Sequence, residues 1–281
     1  MIFGDYRVEI IPDCEFRLDG GAMFGVVPRN LWAKPCPPDE QNRIRMNMNC
    51  LFIEAGSERI LIDTGIGEKW SEKHRLMYGI DRVRSLDESL RAIAGVASAD
   101  ITIVINTHLH FDHAGGNTCR GKTGQAVPAF PNARYLISRA EYEHAEAPTF
   151  RDRASYQPEN WQPVRESGQL ELKDAEYEVV TGLRMETHAG HNRSMQCARL
   201  KSNGKTLFGF ADLVPTRAHL PFAWVMGYDL YPVETVSAKK ELLPQAAREN
   251  WTCLFYHDPD QPLGKIRNEA GRFVIEPYES R

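Results

Sequence analysis

The sequence predicts an α/β fold in which strands and helices alternate around a large core. Its 281 residues suffice for one two-layered α/β domain, although length alone also allows two. The apolar segment Ile101–Asn106 is typical of a strand buried on both faces. Ser85–Ala97 begins with a serine followed three residues later by a glutamate, and its apolar residues recur with helical spacing. A buried strand that follows an amphipathic helix is typical of an α/β core.

The first part of the chain is rich in predicted strands. Tyr6–Ile11 alternates like an edge strand, and residues 1–48 as a whole are interpreted as an N-terminal arm. Cys50–Glu54 and Arg59–Asp63 are predicted to form a hairpin around Gly56 and Ser57. Strands therefore precede the first long helix.

The second part of the chain repeats this pattern. Residues 148–168 are polar and punctuated by prolines, which predicts a long loop or lid, and residues 214–232 form an aromatic-rich loop. Ser138 is predicted to cap a short helix through Ala145, and Val233–Asn250 is predicted to be a helix with a kink at Pro244. The predicted strands are Arg134–Ile137, Val179–Thr187, Gln196–Leu200, Lys205–Ala211, Trp251–Tyr256 and an edge strand at Gly271–Ile275. We expect one domain over residues 1–281.

Composition excludes several classes of partner. The formal net charge of −4 gives no support for an extended nucleic-acid or membrane surface. The N-terminus lacks a basic segment followed by an apolar one, and no apolar run approaches membrane-spanning length. Most of the six scattered cysteines, which show no Cys-x-x-Cys pattern, are interpreted as small core residues in a reducing compartment. We therefore expect a cytoplasmic protein that acts on a small molecule.

A cluster of metal-binding side chains follows the buried strand at 101–106. The sequence His108-Leu109-His110-Phe111-Asp112-His113 brings three imidazoles and one carboxylate together, and alternation puts His108 and His110 on one side. Ala114-Gly115-Gly116 then predicts a sharp backbone turn. Imidazole and carboxylate ligands suit zinc and its first-row neighbours. The alternative is a solvated polar loop, but the density of ligands favours a metal site.

This pattern, His-x-His-x-Asp-His after a strand and before a glycine turn, resembles the metallo-β-lactamase superfamily. The resemblance implies a four-layer αββα sandwich with mixed sheets and the metal site at one edge. It also implies further ligands downstream in a fixed order, which His191 after Gly190, Asp212 and His257 match. His188 is the rival for the His191 position. The triplet that begins at Asp63 is common near such sites, and either Asp63 orients a ligating imidazole or it only forms a turn.

The resemblance implies two divalent metal ions, of which zinc is the expected identity and Mn, Fe or Co are alternatives. His108, His110 and His191 would hold one ion, while Asp112, His113 and His257 would hold the other, with Asp212 between them. The implied reaction is hydrolysis by a hydroxide that bridges the two metals. Asp112 is also a candidate for passing a proton to the leaving group.

The ligand set resembles the lactonase branch of this superfamily most closely. Antibiotic-degrading members generally lack an aspartate equivalent to Asp212, and only 24 residues follow His257, too few for the glutathione-binding domain of glyoxalase II. The expected function is opening of lactones or related carboxylic esters. The alternatives are hydrolysis of thioesters, phosphoesters or phosphotriesters, weak β-lactam hydrolysis and, in another class, a non-haem iron redox enzyme.

The candidate substrate contacts are two apolar segments. Met23 and Phe24 form one, and Phe222, Trp224 and Tyr228 belong to the other, so together they could accommodate an acyl chain or an aromatic group. The alternative is that the aromatic residues pack a loop or a homodimer interface. Tyr228 is also a candidate catalytic hydrogen-bond donor.

One departure from the lactonase pattern bears on the candidate catalytic role of Tyr228. Some lactonases have a tyrosine three residues after the aspartate, where this chain has Pro215.

His74, His144 and His219 are predicted to be surface or loop histidines. Arg193 is predicted to pair with an acidic neighbour.

Overall fold

Two seven-stranded mixed sheets form the centre of the structure, a computed structural model that describes residues 1–278. A separate hairpin pairs β6 (Thr118–Arg120) with β7 (Ala126–Pro128). The first sheet has the order β1 (Ile2–Phe3), β2 (Tyr6–Asp19), β3 (Arg43–Ala55), β4 (Glu58–Ile62), β5 (Ile103–Ile105), β8 (Arg134–Ser138) and β9 (Leu170–Lys173). The second has the order β10 (Tyr177–Val180), β11 (Leu183–Thr187), β12 (Gln196–Ser202), β13 (Lys205–Gly209), β14 (Thr252–Leu254), β15 (Leu263–Glu269) and β16 (Arg272–Pro277).

The helices connect these strands and cover the outer faces of the sheets. The capping pattern predicted at Ser85 is present, because the Ser85 hydroxyl accepts the Glu88 N–H and the Glu88 carboxylate accepts the Ser85 N–H. The helices are α1 (Gly20–Phe24), α2 (Arg29–Trp32), α3 (Glu72–Met77), α4 (Leu86–Ala94), α5 (Phe111–Ala114), α6 (Arg139–Glu146), α7 (Gln162–Glu166) and α8 (Pro232–Arg248).

Three buried apolar layers separate the four backbone layers of the sandwich, which are the two sheets and the helices on their outer faces. Leu51 and Ile53 of β3 point into the layer between the sheets, while Phe52 points into the layer that α4 covers. In the second sheet, Phe208 packs in the layer beneath Leu242 of α8. This alternation explains why the central strands are apolar on both faces. The αββα architecture expected from the sequence is confirmed.

Three predicted segments differ from the structure. Residues 1–48 supply β1, β2 and the start of β3 to the first sheet, rather than an arm, because the register of β2 shifts between Pro12 and Glu15 and its pairing with β3 continues to Asp19. Residues 177–187 form a hairpin, rather than one strand, since Gly182 adopts a φ of +78° at the turn. The segment 148–168 contains short helical turns and is anchored by the buried indole of Trp161.

Burial of most of the cysteines agrees with their interpretation as core residues, whereas Cys119 is exposed and Cys36 is half-buried. Four of them (Cys14, Cys50, Cys197 and Cys253) are buried, and each cysteine is a free thiol in the described part of the chain. Among residues 1–278, the helices are all too short or too polar to cross a membrane.

The two sheets bring the ends of three strands to one edge of the sandwich. Parallel strands β13 and β14 end side by side at Gly209 and Leu254. The backbone N–H of Gln196, at the start of β12, donates to the carbonyl of Thr107 beyond the end of β5 at 2.9 Å. Segments from both sheets therefore meet where the predicted ligands occur.

Candidate metal centre

The motif segment leaves β5 and turns into the short helix α5. His108 and His110 lie in the extended connection, with ring centroids 4.5 Å apart, and α5 carries Asp112 and His113. The glycines after the motif form a 3₁₀ turn, which agrees with the predicted turn, but neither adopts the left-handed conformation that favours glycine. They are required by close packing instead: a Cβ on Gly116 would lie 2.1 Å from the carbonyl oxygen of Thr64.

The three downstream ligand positions also follow or precede strands. His191 precedes β12, Asp212 follows β13 and His257 follows β14. Ala211 has a φ of +46°, a left-handed conformation that is unfavourable for alanine and that orients the next residue, Asp212. Strain of this kind concentrates at functional sites because the surrounding structure must maintain it.

His108, His110 and His191 form a first group of converging side chains. One ligand atom from each lies within 4.8 Å of the others, and all three residues are buried. His110 Nδ1 is 3.0 Å from His191 Nε2. Zinc–nitrogen bonds of about 2.0–2.1 Å in tetrahedral geometry would separate ligand atoms by about 3.3 Å. The first group therefore has the spacing of a coordination shell.

Asp112, His113 and His257 form a second group, in which one ligand atom from each residue lies within 4.8 Å of the others. The Asp212 carboxylate lies between the groups, with Oδ1 3.1 Å from Nε2 of both His113 and His257. Its Oδ2 is 3.4 Å from His191 Nε2. The structure thus brings all seven predicted ligand residues together and puts Asp212 where it can contact a cation in either group.

Several of these atoms have no partner in the described part of the chain. Nε2 of His108, His113 and His257 and Oδ1 of Asp212 are buried and make no hydrogen bond. Buried polar atoms without partners are costly, so a cluster of them facing one point requires a bound group to compensate. Nitrogen and carboxylate donors fit divalent first-row metals, and this donor set therefore fits the metal ions that the motif implies.

The opposite nitrogen of most rings is held by a hydrogen bond. His113 Nδ1 donates to Asp63 at 2.9 Å, and His191 Nδ1 donates to Asp229 at 3.1 Å. His257 Nδ1 donates to the carbonyl of Asn47 at 3.0 Å. These contacts fix the tautomer so that Nε2 presents its lone pair to the site. Asp63 thus orients an imidazole, one of the two roles considered for it.

The electrostatics of the site favour neutral rings at His108 and His110 and an ionised Asp212, whereas the carboxylates around His113 and His191 raise the pKa of those two rings. Burial lowers the pKa of His108 and His110 well below the usual range for histidine, which keeps both rings neutral. Burial alone would raise the pKa of Asp212, but His113, His257 and His191 lower it well below its usual range. Neutral imidazoles and an ionised carboxylate are the forms that bind metals.

A cavity of about 300 Å³ opens beside both groups. Met23 and Tyr228, both predicted substrate contacts, line it, and Arg151 and Asp152 reach it from the 148–168 segment. Its apolar wall consists mainly of Leu18, Met23, Met46, Phe111 and Met226. The cavity therefore joins the metal groups to a largely apolar space.

The other predicted substrate contacts do not line this cavity. Phe24 is buried and stacks on Trp32 and His219, with ring centroids 5.4 and 4.5 Å away. Trp224 packs edge-on against Phe24, and Phe222 packs against Phe273. Their positions correct the expectation that they form the substrate slot: aromatic packing holds them behind the cavity wall.

The other histidines considered from the sequence, and Arg193, lie outside the described ligand groups. His188 contacts Glu186 and belongs to none of the ligand groups, and His74 is exposed. His219 lies in the 214–232 connection, which agrees with the prediction of a loop histidine, but its ring is buried against Phe24 and the backbone carbonyl of Met23 rather than at the surface. Arg193 lies 3.6 Å from Glu234, which confirms the predicted acidic neighbour.

Two buried acids next to the site were not predicted from the sequence. Asp229 holds His191, and Glu141 contacts the loops that carry the first group. Both are separated from their partners by more than 30 residues, so local spacing contains no signal for them. The segment Met226–Tyr228, which follows the aromatic residues, also lines the cavity.

Comparison with known proteins agrees with this geometry. A sequence model described as Metallo-beta-lactamase superfamily matches residues 45–257. An N-acyl homoserine lactonase from Bacillus cereus is 27% identical over 237 residues, which are 79% of this chain and 86% of the relative. A solved structure of a probable metal-dependent hydrolase from Staphylococcus aureus is 30% identical, with a TM-score of 0.89 and 100% of both chains covered. AidC, a dizinc quorum-quenching lactonase, is 22% identical with a TM-score of 0.81, covering 100% of this chain and 97% of its own, and shows the same fold.

Proposed function

Because the chain belongs to the metallo-beta-lactamase superfamily and is a metal-dependent hydrolase, we propose that it opens lactones that carry an acyl chain, with two divalent ions, zinc being the expected metal. The observation that carries this proposal is the pair of ligand groups around Asp212. Two divalent cations held there would supply a nucleophilic hydroxide near neutral pH and polarise the substrate carbonyl.

The charge of the ligand set supports hydrolysis of a carbonyl compound. Asp112 and Asp212 are the two carboxylates among the seven ligand residues, so a pair of dications would retain a net positive charge. Arg151 and Asp152 both line the cavity wall, so the positive charge of the site would come from the two cations and not from this segment. A positive, partly enclosed site favours a transition state in which a carbonyl oxygen becomes anionic.

Two side chains of the cavity are suited to assist this reaction. Burial raises the pKa of Tyr228 to about 12, so its hydroxyl remains protonated and can donate a hydrogen bond to the carbonyl oxygen. The Asp112 carboxylate lies 3.5 Å from His257 Nε2 and borders the cavity. We assign Asp112 the further role of passing a proton to the departing alkoxide.

The shape of the cavity favours a small substrate with an apolar part. Its volume of about 300 Å³ is at the lower end of the range for ligand pockets. Three methionines, Met23, Met46 and Met226, contribute adaptable apolar surface. The 27% identity to N-acyl homoserine lactonases supports an acylated lactone as the substrate class.

The first test measures metal content together with a panel of substrates. The panel contains lactones with increasing acyl length, a phosphotriester, a thioester and a chromogenic β-lactam. We expect two ions per chain and preference for acylated lactones. A fully loaded protein that hydrolyses none of the lactones would refute the proposal, and a mononuclear iron protein would favour the redox alternative.

Two pairs of variants make this test specific. His108→Ala should lose metal and activity together, whereas His74→Ala, at an exposed position, should retain both. Met226→Trp should fill the cavity and reduce activity most on long acyl chains. Val233→Trp, at a position that is 78% exposed, is the matched control and should change neither. Equal effects of Met226→Trp on short and long substrates would contradict binding of the acyl chain in this cavity.

A further inference from the structure

We propose that Glu141 is a positioning residue that orients the His108, His110 and His191 group and sets its affinity for a cation. This inference rests on the two-ion site of the proposed function. Glu141 lies on α6 and its side chain is fully buried. It is not a ligand in any of the groups within residues 1–278, so its effect on the metal must pass through its neighbours.

Each carboxylate oxygen of Glu141 accepts hydrogen bonds from two donors. Oε1 accepts the backbone N–H of Leu109 at 2.8 Å and the hydroxyl of Tyr156 at 3.1 Å. Oε2 accepts the side-chain amide of Asn192 at 2.9 Å and the hydroxyl of Ser194 at 2.5 Å. The amide donors of Leu109 and Asn192 cannot act as acceptors. Glu141 therefore connects two separate loops through both of its oxygens.

Three of the four donors lie within three residues of a member of the first group in the sequence. Leu109 lies between His108 and His110 in the sequence, so fixing its backbone fixes the direction of both neighbours. Asn192 and Ser194 follow His191, and Asn192 Oδ1 also accepts the backbone N–H of Ser194. One buried carboxylate consequently aligns two histidines from the first sheet with one from the second.

Tyr156 extends this effect to the ring of His110. Its ring packs edge-on against that imidazole, with centroids 4.7 Å apart. Burial and the Glu141 carboxylate raise the pKa of Tyr156, which keeps its hydroxyl protonated as a donor. The Glu141–Tyr156 bond thus supports the face of the His110 ring.

The second group is held by different residues. His113 is held by Asp63, and His257 by the carbonyl of Asn47. The Asp112 carbonyl accepts the hydroxyl of Tyr256. Because the described hydrogen bonds of Glu141 include none to these residues, a change at Glu141 should act selectively on the first group.

Charge gives a second reason for this coupling. The four donors to Glu141 are uncharged, and its described contacts include no Lys or Arg. A buried carboxylate without a cationic partner is costly. Cations in the adjacent group would offset this negative charge, so the carboxylate and the bound ions stabilise each other.

The test is a cobalt(II) titration of Glu141→Gln followed by visible absorption. Gln keeps the size of the side chain but replaces one carboxylate oxygen with an NH₂ group. This group faces hydrogen-bond donors and cannot accept from them. His110→Ala and His257→Ala identify the absorption bands of the first and second groups. We expect Glu141→Gln to weaken binding in the first group about 10- to 100-fold and leave the second unchanged.

Glu146→Gln is the matched control on the same helix. Glu146 accepts the indole N–H of Trp161 at 2.7 Å and lies 3.8 Å from Arg165, and its described hydrogen bonds and ion pairs include none to the ligand loops. Its substitution should alter thermal stability without selective loss of either band. Equal weakening of both groups in Glu141→Gln, or unchanged affinity, would overturn the inference.

A milder variant covers the case in which Glu141→Gln does not fold. Tyr156→Phe removes one donor to Glu141 but keeps the ring beside His110. It should weaken the first group about 2- to 10-fold, and unchanged affinity would again overturn the inference. Failure of the proposed function would appear in the wild-type metal content or substrate panel, whereas failure of this inference would appear in the variants.

Discussion

Replacing Asp63 with Asn should weaken metal binding in the second group through the tautomer of His113. Asp63 Oδ2 accepts His113 Nδ1–H at 2.9 Å, while Oδ1 accepts the backbone N–H of Thr107 at 2.8 Å. Asp63 adopts a φ of +59°, which asparagine tolerates well. Asp63→Asn therefore changes the hydrogen bonding without adding backbone strain.

The size of the loss of metal affinity in Asp63→Asn follows from the loss of one side-chain oxygen at this position. Asparagine has one side-chain oxygen, which the Thr107 N–H requires, so its NH₂ group faces His113 Nδ1. His113 must then carry its proton on Nε2, the atom that lies 3.1 Å from Asp212 and faces the site. A buried hydrogen bond to a charged group contributes about 1.5–3 kcal/mol. This agrees with the 10- to 100-fold loss, or about 1.4–2.7 kcal/mol, typical when a residue that orients a ligand is changed.

The assay is competition for zinc between the protein and a chromophoric chelator. Asp63→Asn should weaken one of two sites about 10- to 100-fold and spare the other. Asp5→Asn is the control, since Asp5 contacts Ser202 and Asn203 away from the site. Two unchanged affinities in Asp63→Asn would refute the tautomer argument.

Three other substitutions test the site and its surroundings. Gly190→Ala should lower zinc affinity and the zinc-bound Tm, because its Cβ would lie 2.4 Å from Thr235 Oγ1 and displace His191; an unchanged Tm would contradict this. Tyr228→Phe should reduce kcat on lactones about 100- to 1000-fold with full metal content, and an unchanged kcat would exclude the proposed hydrogen bond. Lys239→Met should lower the free energy of unfolding by about 1–3 kcal/mol, because the carbonyls of His219, Pro221 and Trp224 lose their donor; an unchanged value in denaturant unfolding would contradict these contacts.

The candidate ligands of the motif could be predicted from sequence because His108, His110, Asp112 and His113 are close in the chain. The downstream candidates His191, Asp212 and His257 followed instead from the resemblance to the metallo-β-lactamase superfamily, and each lies next to a strand end. The capping pattern at Ser85 similarly involves residues three apart. Where the residues of a candidate metal site are so close together, the sequence is sufficient to indicate the site.

The residues that orient the ligands could not be predicted in this way. Asp229 is 38 residues from His191, and Glu141 is 32 residues from Leu109. Their partners become neighbours only when both sheets have formed. A single buried acid on a predicted helix gives no indication of which loop it will contact, since the contact depends on the tertiary fold.

The aromatic loop at 214–232 shows how one distant residue decides which side chains reach the cavity. The ammonium of Lys239 on α8 donates to the carbonyls of His219, Pro221 and Trp224. An ammonium has three N–H donors, and three carbonyls in one loop satisfy them, which holds this part of the loop against the helix. The aromatic side chains at 222 and 224 consequently pack behind the wall, and the chain reaches the cavity at Met226–Tyr228. Residues 222–224 and 226–228 have similar apolar character, so composition cannot show which of them reach the cavity. The contacts of the buried Lys239 on α8 decide this instead.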